Sequence, residues 1–112
     1  MDQKNEIQPD QQTIEEILNL YKSGKLNKAK KIAKIILNKR LAACVNINDK
    51  IQSFFWWKNK ISNENEVELS FKTRYSKIKT LIKHIEKHHP YECPSVLVHE
   101  IKKTNKKYME WV

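Results

Sequence analysis

Apolar side chains recur with two different periods along the chain, and this predicts a mixture of helices and strands. In residues 26–39 and 76–88 they return every three or four positions, which is typical of amphipathic helices. Pro90 ends the second of these helices. In residues 67–74 apolar and polar side chains alternate, which predicts a strand. Further predicted elements are strands over residues 43–47, 50–57 and 95–102 and a short helix over residues 105–111.

The N-terminal segment before the first strong helix is atypical. Residues 1–12 are polar and are predicted to form a disordered tail. Residues 13–22 favour a helix, because Thr13 and Glu16 form a capping box and apolar residues follow at helical spacing. If this segment is helical, no strand precedes the helix over residues 26–39.

The order of elements indicates an α+β fold in which helices cover one face of an antiparallel sheet. Two strands flank a polar segment after Trp57, and Asn59 tolerates a left-handed turn there. Together they predict a long hairpin from Lys50 to Arg74. A strand before residues 26–39 would complete a ferredoxin-like sandwich, and a helix at residues 13–22 would replace that strand.

The excess of positive charge bears on which classes of partner the chain is expected to bind. The chain has 22 Lys and Arg against 13 Asp and Glu, a formal net charge of +9. Only Arg40 and Arg74 are arginines, whereas specific nucleic-acid recognition favours the guanidinium group, so nucleic-acid binding is not expected. RNA binding through aromatic side chains exposed on a sheet is the weakest of three hypotheses for the function. No apolar run is long enough to span a bilayer, and no secretory signal precedes the domain, so a cytoplasmic location is predicted.

Several site types are excluded by composition. Cys44 and Cys93 lie far apart, which excludes a disulfide framework and a zinc ribbon, and both are expected to be buried, inert thiols. A single glycine excludes a phosphate-binding loop, and no nucleophilic serine elbow is present. We therefore expect no enzymatic activity.

The histidines are the best candidates for metal ligands. His84 and His88 are one helical turn apart, a spacing that can chelate a metal, and His89 follows directly. Imidazole suits copper, zinc or nickel, and copper has the highest general affinity. The alternative is that His88 and His89 only interact with the negative end of the helix dipole.

Five segments occur in an order and at spacings that resemble the CutA family of divalent-cation tolerance proteins, over residues 27–112. They are KRLAACVNI, IQSFFWWKNKI, EVELSFKTR, HHPYECP and YMEWV. The resemblance implies a single domain over residues 13–112 in which residues 13–25 are atypical.

The resemblance also implies a ferredoxin-like protomer in a homotrimer. Consecutive aromatics give the hairpin two apolar faces, which a neighbouring chain can cover; the alternative is that they fill one chain's own core. The expected trimer interface comprises Phe55, Trp56, Trp57 and Trp111. The expected inter-subunit cleft for a small ligand is lined by Lys72, Tyr91, Glu92 and Tyr108.

The metal site implied by the resemblance is incomplete. Family members bind copper through a cysteine on the first strand and histidine at the His-His-Pro corner, which His88 and His89 match, with His84 as a further candidate. Extending the family register back from Leu41 without gaps places Ile17–Tyr21 on the first strand and Tyr21 at the cysteine position. The soft thiolate ligand is therefore missing.

Two functions follow as hypotheses. The first is a non-enzymatic, trimeric protein in divalent-metal tolerance, with copper or another divalent metal as the ligand. The alternative is a trimeric interaction or small-ligand regulatory module without physiological metal binding, in which the basic segment 13–40 docks an unknown protein partner.

Overall fold

The computed structural model describes residues 14–22, 25–89 and 94–112, which form four strands and three α-helices. In chain order the elements are β1 (Ile14–Lys22), α1 (Leu26–Asn38), β2 (Cys44–Trp57), β3 (Lys60–Arg74), α2 (Ile78–His88), β4 (Val96–Ile101) and α3 (Lys106–Trp111). A 3₁₀ turn over Tyr75–Lys77 leads into α2. The tail predicted over residues 1–12 lies outside the described residues.

The four strands form one antiparallel sheet in the order β2-β3-β1-β4, so that β1 and β3 are central. Helices α1 and α2 pack against one face of it, where the core lies. The core side chains come from the sheet and both helices: Ile17, Tyr21, Ala29, Ile32, Ile36, Ala42, Val67, Leu69, Phe71, Leu81 and Ile85. This is the predicted α+β, ferredoxin-like architecture. We call the opposite side of the sheet the open face; its positions include Glu16, Leu18, Leu20, Ser70, Lys72, Leu97 and His99.

The helix predicted for residues 13–22 is wrong, because Ile14–Lys22 is strand β1. This strand pairs with β3 on one side and β4 on the other, so its backbone is hydrogen-bonded along both edges. Ile17 and Tyr21 are fully buried against the helices. Tertiary pairing and burial override the local helical signal. Glu16, predicted as a capping residue, instead accepts a hydrogen bond from Ser70 on the neighbouring strand.

The hairpin is longer and tighter than predicted. Residues 43–47 and 50–57 were expected as two strands, but β2 is continuous and accommodates one extra residue in a bulge between Asn48 and Ile51. The polar segment after Trp57 was expected to form a loop, yet β3 begins at Lys60. The turn consists of Lys58 and Asn59, with φ of 50° and 64°, and this left-handed pair suits the twist of a two-residue hairpin.

The remaining predicted elements are confirmed. Helices α1, α2 and α3 and strand β4 each begin and end within two residues of the expected positions. Their apolar residues follow one clear period, and the structure buries the stripes of α1 and α2.

Replacing Ile17 by Ala tests the central position of β1. We expect the free energy of unfolding to fall by about 2–5 kcal/mol, because a fully buried side chain is truncated against both helices. Denaturant titration at equal chain concentrations measures this. The control is Leu37→Ala on α1, where the side chain is 38% exposed and we expect a loss of about 1 kcal/mol or less. Equal losses in the two variants would contradict the central placement of β1.

Candidate functional site

A network of polar side chains crosses the open face, and we call it the open-face network. It takes members from all four strands: Cys44 and Asn46 from β2, Ser70 and Lys72 from β3, Glu16 from β1 and His99 from β4. The register brings them together, because Lys72 lies opposite both Cys44 and Glu16, and Glu16 lies opposite His99.

Lys72 is the centre of the open-face network. Its Nζ donates hydrogen bonds to Ser70 Oγ at 2.8 Å and Asn46 Oδ1 at 3.3 Å, and it lies 3.1 Å from Glu16 Oε2. Ser70 Oγ in turn donates to the same carboxylate oxygen at 2.7 Å. The Ser70 hydroxyl, followed by the Lys72 ammonium, holds the pKa of Glu16 below its usual value despite its partial burial. The network is therefore an ion pair whose polar partners fix the position of Lys72.

The outer members of the network have looser contacts. Cys44 Sγ lies 3.7 Å from Asn46 Oδ1, and its thiol is partly exposed and not in a disulfide. His99 Nδ1 lies 4.0 Å from Glu16 Oε1, and His99 is exposed. The expectation that Cys44 is a buried thiol is therefore wrong, while Cys93 lies outside the described residues. The roles of Glu16, Ser70 and His99 could not be predicted from the sequence pattern, because their pairings appear only when residues 14–22 are taken as a strand.

The histidine corner separates two side chains that were predicted to act together. Helix α2 ends at His88, and the extended backbone of His89 (φ −78°, ψ 136°) turns its ring towards β1. His89 Nε2 lies 2.7 Å from the Leu20 carbonyl oxygen, and its ring stacks on Tyr21 with centroids 4.2 Å apart. Because a carbonyl oxygen only accepts, His89 Nε2 carries the proton. Burial also lowers the pKa of His89, so this ring is held as a neutral packing element.

His84 and His88 stay on α2. Both rings are partly exposed, and His84 Nδ1 lies 3.0 Å from the Thr80 carbonyl oxygen, one turn earlier. The described ranges contain no group of three or more His, Cys, Asp or Glu side chains that could hold a metal ion. Of the other predicted site residues, Tyr91 and Glu92 lie outside the described residues, and Tyr108 lies on α3, 5.7 Å from the Trp111 ring.

Three buried polar atoms have no hydrogen-bond partner among the described residues: Glu15 Oε2, Asn19 Oδ1 and Tyr21 OH. Burial raises the pKa of Tyr21 to about 12, so the phenol is neutral. Glu15 is 3% exposed and pairs across the sheet with Glu100. Burial, and then the charge of Glu100, raise the pKa of Glu15 above its usual value. The burial of Glu15 could not be predicted from the sequence pattern, because a helix over residues 13–22 would place Glu15 on its polar face.

The hairpin tip carries apolar side chains on both of its faces. Cross-strand pairing joins Trp56 to Ile61, and these two are 72% and 67% exposed, while Phe54 is 65% exposed. Phe55 and Trp57 point to the other face and are less exposed, and Lys58 Nζ lies 5.9 Å from the Trp57 ring centroid.

No helix among the described residues is long and apolar enough to cross a membrane.

Replacing Glu15 by Gln tests the buried carboxyl. A raised pKa in the folded chain means that folding favours the protonated form, so stability is lost as pH rises through the ordinary value of 4.5. We expect Glu15→Gln to be more stable than the parent at pH 7, by about 1 kcal/mol, and the difference to vanish near pH 4. Thermal unfolding across this pH range measures it.

The control for this comparison is Glu110→Gln on α3, an exposed position where the change should leave stability unaltered. A Glu15→Gln variant that is less stable than the parent at pH 7 would contradict the assignment.

The chain is similar to known proteins in both sequence and structure. The sequence profile described as "CutA1 divalent ion tolerance protein" matches residues 17–112. "Protein CutA 1, chloroplastic" of Oryza sativa subsp. japonica is 41% identical over 83 residues, which cover 74% of this chain and 47% of that protein. "Protein CutA homolog" of Xenopus laevis is 40% identical over 84 residues, which cover 75% of this chain and 56% of that protein.

The chain thus spans about half the length of these curated relatives. Among solved structures, the "Periplasmic divalent cation tolerance protein CutA" from Archaeoglobus fulgidus superposes with a TM-score of 0.82 at 36% identity. That superposition covers 88% of this chain and 93% of the other.

Proposed function

The chain belongs to the CutA1 divalent ion tolerance protein family, and from this premise we propose that it acts as a homotrimer in the tolerance of divalent metal ions such as copper. We further propose that it catalyses no reaction and works in the cytoplasm. The proposal that it is not an enzyme is supported by the family description, which names tolerance to ions and not a reaction. The proposed cytoplasmic location applies only to this chain, because the rice relative is named as chloroplastic.

The single observation that carries the trimer is the exposure of the hairpin tip. Phe54, Trp56 and Ile61 form a contiguous apolar surface on a hairpin that extends from the sheet. Contiguous apolar patches of this kind are rare on monomers and mark contact surfaces. Trp111 on α3, 61% exposed, adds a second apolar surface. Copies of the same chain can cover both surfaces, as proposed for Phe55, Trp56, Trp57 and Trp111.

The open-face network supports the same assembly. Lys72, Glu16 and Ser70 satisfy one another within one chain, so burying them beneath a neighbour would leave no unpaired charge. Leu97, which lies on the same face, is 53% exposed and offers apolar area for that contact. The face therefore combines exposed apolar area with polar groups that already have partners.

The alternative is a trimeric module that binds a small regulatory ligand or a protein and does not bind metal in the cell. The observation in its favour is that Lys72, a proposed cleft residue, is held in place by three polar neighbours. Clefts between subunits are ordinary places for small ligands, and an ammonium–carboxylate pair held in place there would suit a small polar ligand. Copper titration distinguishes this alternative from the leading proposal.

Light scattering after size exclusion, without added metal, tests the assembly. We expect a molar mass near three times the chain mass of 13.4 kDa. Trp56→Glu should lower the mass towards that of one chain, because it places a charge in the proposed contact. The matched control is Leu37→Glu on α1, which adds the same charge to a partly exposed apolar position on the helix side. A parent protein with the mass of one chain would refute the trimer.

A further inference from the structure

We infer that the outer surface of α1 and α2 binds the phosphates of double-stranded nucleic acid without reading its sequence. We call this surface the helix layer and define it as residues 25–40 and 77–88. It lies on the side of the sheet opposite the open face. The inference therefore goes beyond the proposed trimer and does not depend on it.

The excess positive charge of the chain is concentrated in the helix layer. The layer contains eleven lysines and arginines and a single acid, Glu86. The whole chain has 22 Lys and Arg, 13 Asp and Glu and a net charge of +9, so the residues outside the layer are close to neutral as a group. A composition that is merely rich in lysine would leave cations and acids mixed on every side. The fold instead separates them.

The lysines on the two helices are exposed and lack acidic partners. Four lie on α1 and three on α2, and all seven are exposed, because the apolar stripes of both helices face the sheet. Within residues 14–22, 25–89 and 94–112, none of the seven forms an ion pair. Neither helix has an acid in its first turn, where the helix dipole favours one. The described part of the chain therefore leaves the positive potential of the layer unneutralised.

The two helices lie side by side and run in opposite directions. At the start of α2, Lys77 Nζ donates a hydrogen bond over 2.8 Å to the carbonyl oxygen of Arg40, just beyond the end of α1. At the other end, Lys28 in the first turn of α1 lies near His89, whose pKa is lowered by burial and further by the charge of Lys28. With 13 residues, α1 is about 20 Å long. The lysines are thus spread over one continuous surface.

Lysines on each helix form rows of like charge. Lys79, Lys83 and Lys87 are four residues apart, so neighbouring Cβ atoms in this row are about 5–6 Å from each other. Lys30 and Lys34 repeat the spacing on α1. Like charges at this spacing repel and destabilise a helix. A polyanion lying along the rows would replace this repulsion by attraction, so an arrangement that is unfavourable in the free chain favours a complex.

The charge and extent of the layer fit a nucleic-acid duplex. A duplex carries one phosphate charge per about 1.7 Å of its axis, so a length of about 20 Å presents about 12 negative charges. Lysine binds phosphate as a point charge, whereas the scarcity of arginine argues against recognition of bases. Contacts restricted to phosphates position a duplex but carry no sequence information.

Two other polyanions fit the layer less well. Single-stranded nucleic acids are bound by stacking their bases on aromatic side chains, and residues 25–40 and 77–88 contain no Phe, Tyr or Trp. Helices that bind a membrane surface insert apolar side chains into it, but α1 and α2 bury theirs, such as Ile32 and Leu81, against the sheet. A duplex requires neither feature.

Titration of a labelled DNA duplex of about 20 base pairs with the full chain, followed by fluorescence anisotropy at several salt concentrations, tests the inference. We expect binding that weakens steeply with salt and is equal for two duplexes of unrelated sequence. Combining Lys79→Gln, Lys83→Gln and Lys87→Gln should weaken the affinity at least about tenfold at about 50 mM salt. It should also lower the slope of log affinity against log salt by about 2–3. An RNA duplex of the same sequence, titrated alongside, distinguishes the two sources of the same phosphates.

A second variant combines Lys30→Gln, Lys31→Gln and Lys34→Gln on α1. We expect a loss of affinity similar to that of the α2 variant, because both helices contribute to one surface. The melting temperature of each variant is measured, so that the test rests on a folded variant should either set disturb its helix. Parental affinity in both folded variants would overturn the inference.

The matched control removes three charges elsewhere, by Lys102→Gln, Lys103→Gln and Lys107→Gln, at exposed positions after β4. It has the same net charge as the helix-layer variants, and we expect an affinity and a salt dependence close to those of the parent. A loss equal to that of the helix-layer variants would overturn the inference, because net charge alone would then account for binding. Absence of duplex binding by the parent at about 50 mM salt would overturn it as well.

Vesicles containing phosphatidylserine are titrated in the same buffer, and binding to them without binding to the duplex would overturn the inference in favour of a membrane surface. The molar mass of each sample is recorded. A trimeric parent that binds no duplex overturns the inference and leaves the assembly proposal intact. A monomeric parent whose duplex binding depends on both sets of lysines refutes the trimer and supports the helix layer.

Discussion

The pairing of β1 along both edges is the constraint on which the rest of the structure depends. A strand between β3 and β4 has every second side chain on the helix face and the others on the open face. Ile17 and Tyr21 thus fall into the core beneath α1 and α2, while Glu16 falls on the open face beside Lys72. A shift of β1 by one residue would exchange these sets: it would bury Glu16 in the core, away from Lys72, and expose the ring of Tyr21.

The same strand determines the chemistry at both of its ends. Near its C-terminal end the Leu20 carbonyl oxygen and the Tyr21 ring receive His89, which draws that histidine away from His88. Near its N-terminal end Glu15 is buried next to Glu100. Burial of a charged carboxylate is unfavourable, so the raised pKa of Glu15 favours its protonated form. The polar groups of β1 therefore differ sharply in their environment although they are neighbours in sequence.

The sequence was sufficient to predict α1, α2, the antiparallel sheet and the long hairpin, because each had one clear period or a turn residue such as Asn59. It was insufficient for β1, since the apolar residues from Ile14 to Tyr21 match a helical stripe, and only pairing with two other strands decides between the periods. The bulge after Asn48 has no distinct local signal. The histidines were identified, and Pro90 predicted the end of α2 at His88. The position of the His89 ring could not be predicted, because it depends on contacts with Leu20 and Tyr21 from far along the chain. The open-face network needs a cross-strand register, which sequence periodicity does not supply.

Tyr21 links the fold to the question of metal binding. A cysteine there would leave space and a soft donor beside the corner, whereas the tyrosine ring fills that space and gives His89 a surface on which to stack. The stack and the hydrogen bond to Leu20 commit His89 to packing, and burial keeps its ring neutral. Of the three histidines at the corner, His84 and His88 remain partly exposed on α2, and the Thr80 carbonyl oxygen orients the His84 ring. In this chain the packing of the corner thus depends on His89 and not on the two histidines of the helix.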